Sequence, residues 1–304
     1  MKVLVSGSSG LIGSALIVRL IQAGREVVRL VRSRDKARAN AVYWNPETGE
    51  IDTAGLEGLD AAVHLAGENI GKGRWTGGYR RRIRDSRVKG TKLLCEALAA
   101  ADSPPRTFIL GAAAGFYGNR GDELLHEDSP AGEGYLAEVC REWEAAATSI
   151  ENKARVVKLR TGVVLSMRGG ALVKMLPPFR LGLGGRLGSG LQYMSWISLD
   201  DLVSVILFAL DNESVTGAVN AVSPHPVTNA QYTRTLGQIL HRPTFFTVPA
   251  FVLRFLLGEM AEETLLTSQR VHSGQLEKYG FAFAHPDLTT ALTDLLSRKR
   301  RDDS

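Results

Sequence analysis

Three glycines behind the first apolar stretch constrain this chain more than any other feature of it. Val3, Leu4 and Val5 run straight into Gly7, Gly10 and Gly13, and the helical apolar pattern of Ala15, Leu16, Leu20 and Ile21 begins at once. In a strand-turn-helix, each glycine has its own task. The first lets the chain turn tightly off the strand. The second removes a Cβ so that backbone can approach a pyrophosphate, and the third lets the helix pack on the strand. Leu11 and Ile12 open the helix, whose first N–H groups and positive dipole end favour an anion. With a strand before and a helix after, the motif reads as a dinucleotide-binding corner.

The rest of the chain alternates short apolar strands with helical patterns, which argues for a parallel sheet covered on both faces. Strands are expected at 2–6, 26–32, 42–44, 61–65, 107–110 and from 155 towards 165, with helices at 79–101 and 136–150. The texture changes from Gly169. The stretch 177–190 starts with two prolines and is rich in glycine, so the expectation is a long irregular segment lying over a substrate. Helices at 200–210 and 229–240, a strand at 218–221 and a largely helical segment at 249–296 complete the chain. The fold expected is an α/β Rossmann-type doubly wound parallel sheet with a smaller, mostly helical C-terminal substrate lobe. Its domains would be 1–168 and 169–304, the sheet being completed by segments from 194–222.

Composition excludes more than it assigns. The chain has 304 residues, enough for one α/β domain with an added lobe. Lys and Arg number 37 against 32 Asp and Glu, a net charge of +5, much of it in Arg80-Arg81-Arg82 and the terminal run 298–301. Nucleic-acid binding would need a broader basic face interleaved with aromatics, so no nucleic-acid partner is expected. Cys95 and Cys140 have neither metal-ligand nor disulfide-framework spacing. The apolar run 251–257 is too short to span a bilayer and carries Arg254, so no membrane partner is expected either. A cytoplasmic, reducing location is the expectation.

Arg32 stands nineteen residues past Gly13, at the end of the second strand. An acidic residue there accepts from a ribose 2′-hydroxyl, whereas arginine pairs with a 2′-phosphate, so NADP(H) is the cofactor expected. Ser33 and Arg34 add donors nearby.

The spacing Gly-x-x-Gly-x-x-Gly resembles that of the short-chain dehydrogenase/reductase superfamily, and Val63-His-Leu-Ala-Gly-Glu-Asn-Ile70 resembles the fourth-strand signature of its extended members. Cys140-Arg-Glu-Trp-Glu144, Arg160-Thr-Gly-Val-Val-Leu165, Pro178-Phe-Arg-Leu-Gly-Leu-Gly-Gly185 and Trp196-Ile-Ser-Leu-Asp-Asp201 resemble an atypical epimerase-family branch, 39U-like, over nearly the whole chain. The resemblance implies cofactor contacts at Gly7, Gly10, Leu11, Ile12, Gly13, Arg32, Leu65, Ala66, Gly67, Arg87 and Val163. A homodimer through helices 79–101 and 136–150 is what extended relatives form.

Hydride-transferring members of that superfamily use a Ser or Thr after the fifth strand and a Tyr-x-x-x-Lys pair on the next helix. The lysine lowers the tyrosine's pKa, so that the phenol can move a proton at neutral pH. In this chain Ala112 or Ala113 replaces the hydroxyl. Tyr135 is followed four residues later by Val139, and the register through Glu144 offers Leu136 and Cys140. Candidate substitutes are Tyr117, Tyr135, Glu68 and Cys140. Arg180, Arg186, Trp196 and Ser198 are the candidates for binding a small-molecule substrate, the arginines suiting a phosphate or carboxylate. Two functions fit: an NADP-dependent oxidoreductase or epimerase on a nucleotide-sugar-like substrate, or a catalytically silent NADP(H) sensor.

Overall fold

The computed structural model describes residues 1–36, 40–72 and 74–302, with side chains to Ser297. The side chains of the basic run 298–301 lie outside the described residues. In chain order the first elements are β1 (Lys2–Ser6), α1 (Leu11–Gln22), β2 (Glu26–Val31), β3 (Ala41–Asn45), β4 (Glu50–Ile51), β5 (Ala61–His64), α2 (Gly77–Ala99), β6 (Thr107–Leu110) and β7 (Leu124–Leu125). Next come α3 (Tyr135–Ala145), α4 (Thr148–Glu151), β8 (Arg155–Thr161), β9 (Val163–Leu165), α5 (Ala171–Arg180), β10 (Gly185–Leu187), β11 (Tyr193–Met194), β12 (Trp196–Ser198), α6 (Leu199–Asp211) and β13 (Gly217–Ala221). The last are β14 (Val227–Thr228), α7 (Asn229–Leu240), β15 (Phe246–Val248), α8 (Ala250–Leu257), β16 (Arg270–Val271), α9 (Gly274–Lys278) and α10 (Leu288–Asp302).

Eight strands form the central sheet in the order β13-β8-β6-β5-β1-β2-β3-β4. Every pair is parallel except β3–β4. Strand order reverses between β1 and β5, and such a switch point opens a crevice at the carboxyl ends of the two strands. Alternation along each strand fills both faces. Val3, Val5, Val63 and Ile109 pack under α1 and α6 with Leu16, Leu20, Leu202 and Ile206. Leu4, Ala62, Phe108 and Leu110 pack under α2 and α3 with Leu94, Leu98 and Trp143. Parallel strands covered on both sides are apolar throughout, as the sequence runs are.

β8 and β9 are one stretch of chain broken at Gly162. A Cβ there would stand 2.6 Å from the Ser195 carbonyl oxygen, so only glycine lets the chain pass. Beyond the break β9 pairs with β12 instead of the main sheet, and the chain builds the lobe before β13 returns beside β8. The lobe has its own core, with Leu172, Leu176, Phe179, Trp196, Tyr232 and Leu292 among its members.

Two expectations about elements need correction. The stretch 177–190 is not irregular throughout: Pro177 and Pro178 lie inside α5, and β10 follows. Both prolines are exposed, as are Val173 and Lys174, whose carbonyls lose their helical donors. Water can satisfy those carbonyls, so the helix tolerates what would break it in a core. The helix expected at 136–150 is two pieces, α3 and α4, joined at Ala146 and Ala147.

Candidate functional site

At the β1–α1 corner Gly7 has φ +64°, and a Cβ on it would lie 2.7 Å from the Leu65 carbonyl carbon. Gly13 is closer still, its would-be Cβ standing 2.3 Å from the Gly7 oxygen. Backbone from β1, β5 and α1 therefore meets with no room for side chains. Gly10 is the N-cap of α1 and supplies no side-chain cap, and no acidic residue lies in the first turn. The N–H groups of Leu11, Ile12 and Gly13 precede any intrahelical acceptor. They leave an uncompensated positive end facing the crevice.

The opposite wall is fixed by a residue the sequence reading passed over. Ser6 Oγ accepts from the N–H of Leu65 at 2.9 Å and of Ala66 at 3.1 Å, and lies 2.7 Å from His64 Nδ1. With both lone pairs of Ser6 taken, its proton goes to Nδ1 and the imidazole carries its own on Nε2. His64 is fully buried, edge-on to Trp44 and stacked on Phe108, and Nε2 has no partner among the described residues. Burial lowers its pKa to about 4. The signal in the sequence was a serine and a histidine at two neighbouring strand ends, with no motif to mark them.

Arg87 closes the corner from α2. Its Nη1 donates to the carbonyls of Glu68 and Ile83, each at 3.1 Å, and the guanidinium lies 5.0 Å from the Trp143 ring centroid. A Cβ on Gly67 would stand 3.3 Å from its Cζ. Arg32 follows the last residue of β2 and is exposed, while Arg34 is held on the Tyr43 ring and by Glu50. Val163 begins β9 and is half-buried at the carboxyl edge of the sheet.

The structure buries two of the four proton-transfer candidates. Tyr117 is fully buried; its hydroxyl donates to Asn220 Oδ1 at 2.7 Å and accepts from Arg160 Nη1 at 2.9 Å. Burial pushes its pKa up against the lowering pull of Arg160. The Cys140 thiol is buried too, and pushed up to about 12 by that burial. The Tyr135 hydroxyl donates to the Arg80 carbonyl at 2.5 Å and lies partly exposed at the start of α3. Glu68 stands at the end of the β5 corner, paired with Lys72 at 3.2 Å. Ala112 is buried, and Ala113 lies in an isolated bridge with Thr161, so no hydroxyl occupies that place.

Two substrate candidates are buried as well. Trp196 is fully enclosed in the lobe core and donates through Nε1 to the His225 carbonyl at 3.1 Å. Ser198 caps α6, its hydroxyl accepting from the Asp201 N–H at 3.0 Å, and is wholly buried. Arg180 and Arg186 are exposed on the lobe, Arg186 donating to Thr247 Oγ1 at 3.0 Å.

A polar hollow of about 160 Å³ lies beside Leu136 and Gly115, walled by Asn119, Glu133, Glu262, Glu263 and Gln269. Glu263 comes from the C-terminal lobe. Its carboxylate accepts from the N–H of Tyr135 at 3.1 Å and of Leu136 at 3.0 Å, the first turn of α3. Nothing nearby in the sequence marks Glu263, because its partners lie more than a hundred residues away.

A doubly wound sheet whose switch point carries a glycine-walled, uncapped helix N-terminus defines a dinucleotide-binding Rossmann protein. A family model described as the NAD dependent epimerase/dehydratase family matches residues 3–221, and one described as a domain of unknown function (DUF1731) matches 248–295. The chain belongs to the NAD dependent epimerase/dehydratase family. It is similar to the epimerase family protein Mb2239 of Mycobacterium bovis, 46% identical over 291 residues that cover 95% of this chain and 96% of that protein. Human epimerase family protein SDR39U1, solved with NADPH, superposes with a TM-score of 0.89 at 36% identity, over 98% of this chain and 99% of that one. A nucleoside-diphosphate sugar epimerase from Corynebacterium glutamicum superposes with a TM-score of 0.80 at 37% identity, over 97% of this chain and 58% of that longer chain.

Proposed function

We propose that this protein binds NADP(H) at the β1–α1 corner and carries out oxidoreduction or epimerisation on a small, hydroxyl-rich, nucleotide-sugar-like substrate. The observation that carries the reading is the corner itself. Gly7 and Gly13 leave no room for side chains, α1 presents open N–H groups, and Arg32 stands exposed at the strand end. The residues present fit the group: Leu11 and Ile12 N–H would take the pyrophosphate, Arg32 the 2′-phosphate, and Leu65 to Gly67 would wall the nucleotide. The relative solved with NADPH, at 36% identity over nearly the whole chain, supports the same choice.

When bound, the cofactor supplies a hydride donor or acceptor. This chain's own part is to hold the wall through Ser6, close the corner with Arg87, and receive a substrate in the polar hollow beside Leu136. In this reading Ala112 or Ala113 stands where the Ser would be, and neither Tyr135 with Val139 nor Leu136 with Cys140 supplies the Tyr and Lys. Of the candidates, Glu68 combines a part-exposed carboxylate, shared with Lys72, with a place at the corner, and it is the proton carrier in this reading. The burial of Tyr117 and Cys140 favours the second reading, a silent NADP(H) sensor.

Fluorescence titration with NADPH and NADH tests the cofactor. NADPH should bind at least about tenfold more tightly, and Arg32→Glu should remove most of that preference, since it exchanges a phosphate partner for a repelling charge. Equal affinity for both cofactors would overturn the role of Arg32, and binding of neither would sink both readings. A screen of sugar nucleotides with NADPH-loaded protein then separates enzyme from sensor.

A further inference from the structure

Among the described residues, most of the exposed large apolar side chains lie on the C-terminal lobe. Phe245 is 91% exposed, Phe255 79% and Leu181 75%, with Leu183, Phe246 and Phe251 also exposed. They come from two stretches of chain that lie side by side. β10 and β15 pair with Gly185 opposite Phe246, Arg242 Nε donates to the Arg180 carbonyl at 2.9 Å, and the Gly188 N–H donates to the Val248 carbonyl at 2.9 Å. α8 follows through Pro249. Phe251 and Phe255, one turn apart, share its outer face while Leu253 is buried on the inner one. Single exposed apolar residues are ordinary, but a contiguous set marks a surface that meets something.

The charge around that set says what. Residues 169–199 and 214–258 contain no Asp or Glu, in a chain that has 32. Arg180, Arg186, Arg234 and Arg242 are all exposed there. Arg186 directs its Nε to a hydroxyl and Arg242 its donors to carbonyls, so their charge meets no carboxylate. Among the described residues, Arg254 alone of these arginines reaches one, Glu262, from beyond the stretch. A second copy docked here would set arginine against arginine, a juxtaposition that opposes association. Rings as free as Phe245 and Phe255 suit insertion between lipids, with cations at the headgroup level.

We propose that this face seats the protein peripherally on a membrane surface bearing anionic phospholipid. Phe251 and Phe255 enter the acyl boundary, and Arg234 and Arg242 meet headgroup phosphates. α8 lies in the plane of the interface. With eight residues it is far too short to span. This departs from the expectation of no membrane partner, which was argued from the lack of a span; a surface association needs no span.

Co-sedimentation of the full chain with vesicles tests this, using phosphatidylcholine alone and phosphatidylcholine mixed with phosphatidylserine. Binding should be at least about tenfold stronger on the anionic vesicles and should weaken as salt rises. Phe251→Ser/Phe255→Ser and Arg234→Glu/Arg242→Glu should each lower the partition at least about tenfold. Circular dichroism and the thermal midpoint should stay unchanged, because all four side chains are exposed or half-exposed. No binding to anionic vesicles, equal binding to both kinds, or binding that survives both double variants would overturn the proposal. So would self-association in sedimentation velocity, or capture of an acidic protein without vesicle binding, if the Phe251→Ser/Phe255→Ser variant abolishes it.

Discussion

Arg160 and Glu144 are 6% and 9% exposed in their side chains and meet in a two-pronged ion pair, Nε to Oε1 at 2.8 Å and Nη2 to Oε2 at 3.0 Å. The remaining Arg160 donor reaches the Tyr117 hydroxyl and the Glu127 carbonyl, and its plane lies 3.5 Å from the Phe116 ring centroid. The pair ties α3 to the carboxyl end of β8. Removing one partner leaves a buried, uncompensated charge, so Arg160→Met should cost about 3–5 kcal/mol in urea unfolding. The double variant Arg160→Met/Glu144→Gln should recover a large part of that loss, as replacing both partners of a buried pair usually does. An additive double variant would mean that the pair does not act as a unit. Both residues were visible in the sequence within the stretches that carry the family resemblance, Cys140-Arg-Glu-Trp-Glu144 and Arg160-Thr-Gly. Their chemistry was not legible, because a carboxylate on a helix reads alike whether it faces a substrate or a strand.

α3 shows the same limit at the scale of an element. A helix from 136 was legible in the sequence, one residue inside its start at Tyr135, but not what holds its first turn, since Gly134 offers no side-chain cap. Glu263, from the lobe, takes that part. Glu263→Ala should cost about 0.5–2 kcal/mol of thermal or chemical stability, the range for losing a helix cap, and should speed proteolysis of the segment around 258–269. Glu263→Gln, which keeps one acceptor, should lose less. A loss no greater than that of an exposed glutamate elsewhere would mean that the clasp is idle. The glycine corner, by contrast, was read correctly in every element because its logic is local: strand, turn and helix lie within twenty residues. In 177–190 composition misled, since two prolines on a solvent face cost a helix little.

For the molecule as a whole, His64 sets a lower pH boundary. Its folded pKa of about 4 lies below the ordinary 6.5. As pH falls below about 6.5 the unfolded chain takes up a proton that the folded protein refuses until about pH 4. Stability should therefore be full above that window and fall by about 3 kcal/mol across it, with no further loss from this group below. Urea midpoints at about pH 7 and about pH 4.5 should diverge less in His64→Phe than in the parent. The doubly wound parallel sheet, the cofactor corner and the place of Arg32 at a strand end were legible from sequence, since each rests on short-range pattern. The lobe contacts were not, because they join residues brought together only by the finished fold. One such join bears on synthesis. β8 is flanked on its outer side by β13, and between them the chain builds α5, α6 and the small strands of the lobe. A chain leaving the ribosome thus completes residues 1–168 with β8 still an open edge, its N–H and C=O groups unpaired until residues 217–221 emerge. At roughly 5–20 residues per second that interval lasts on the order of seconds, long enough for the nascent sheet to need shielding from other strands.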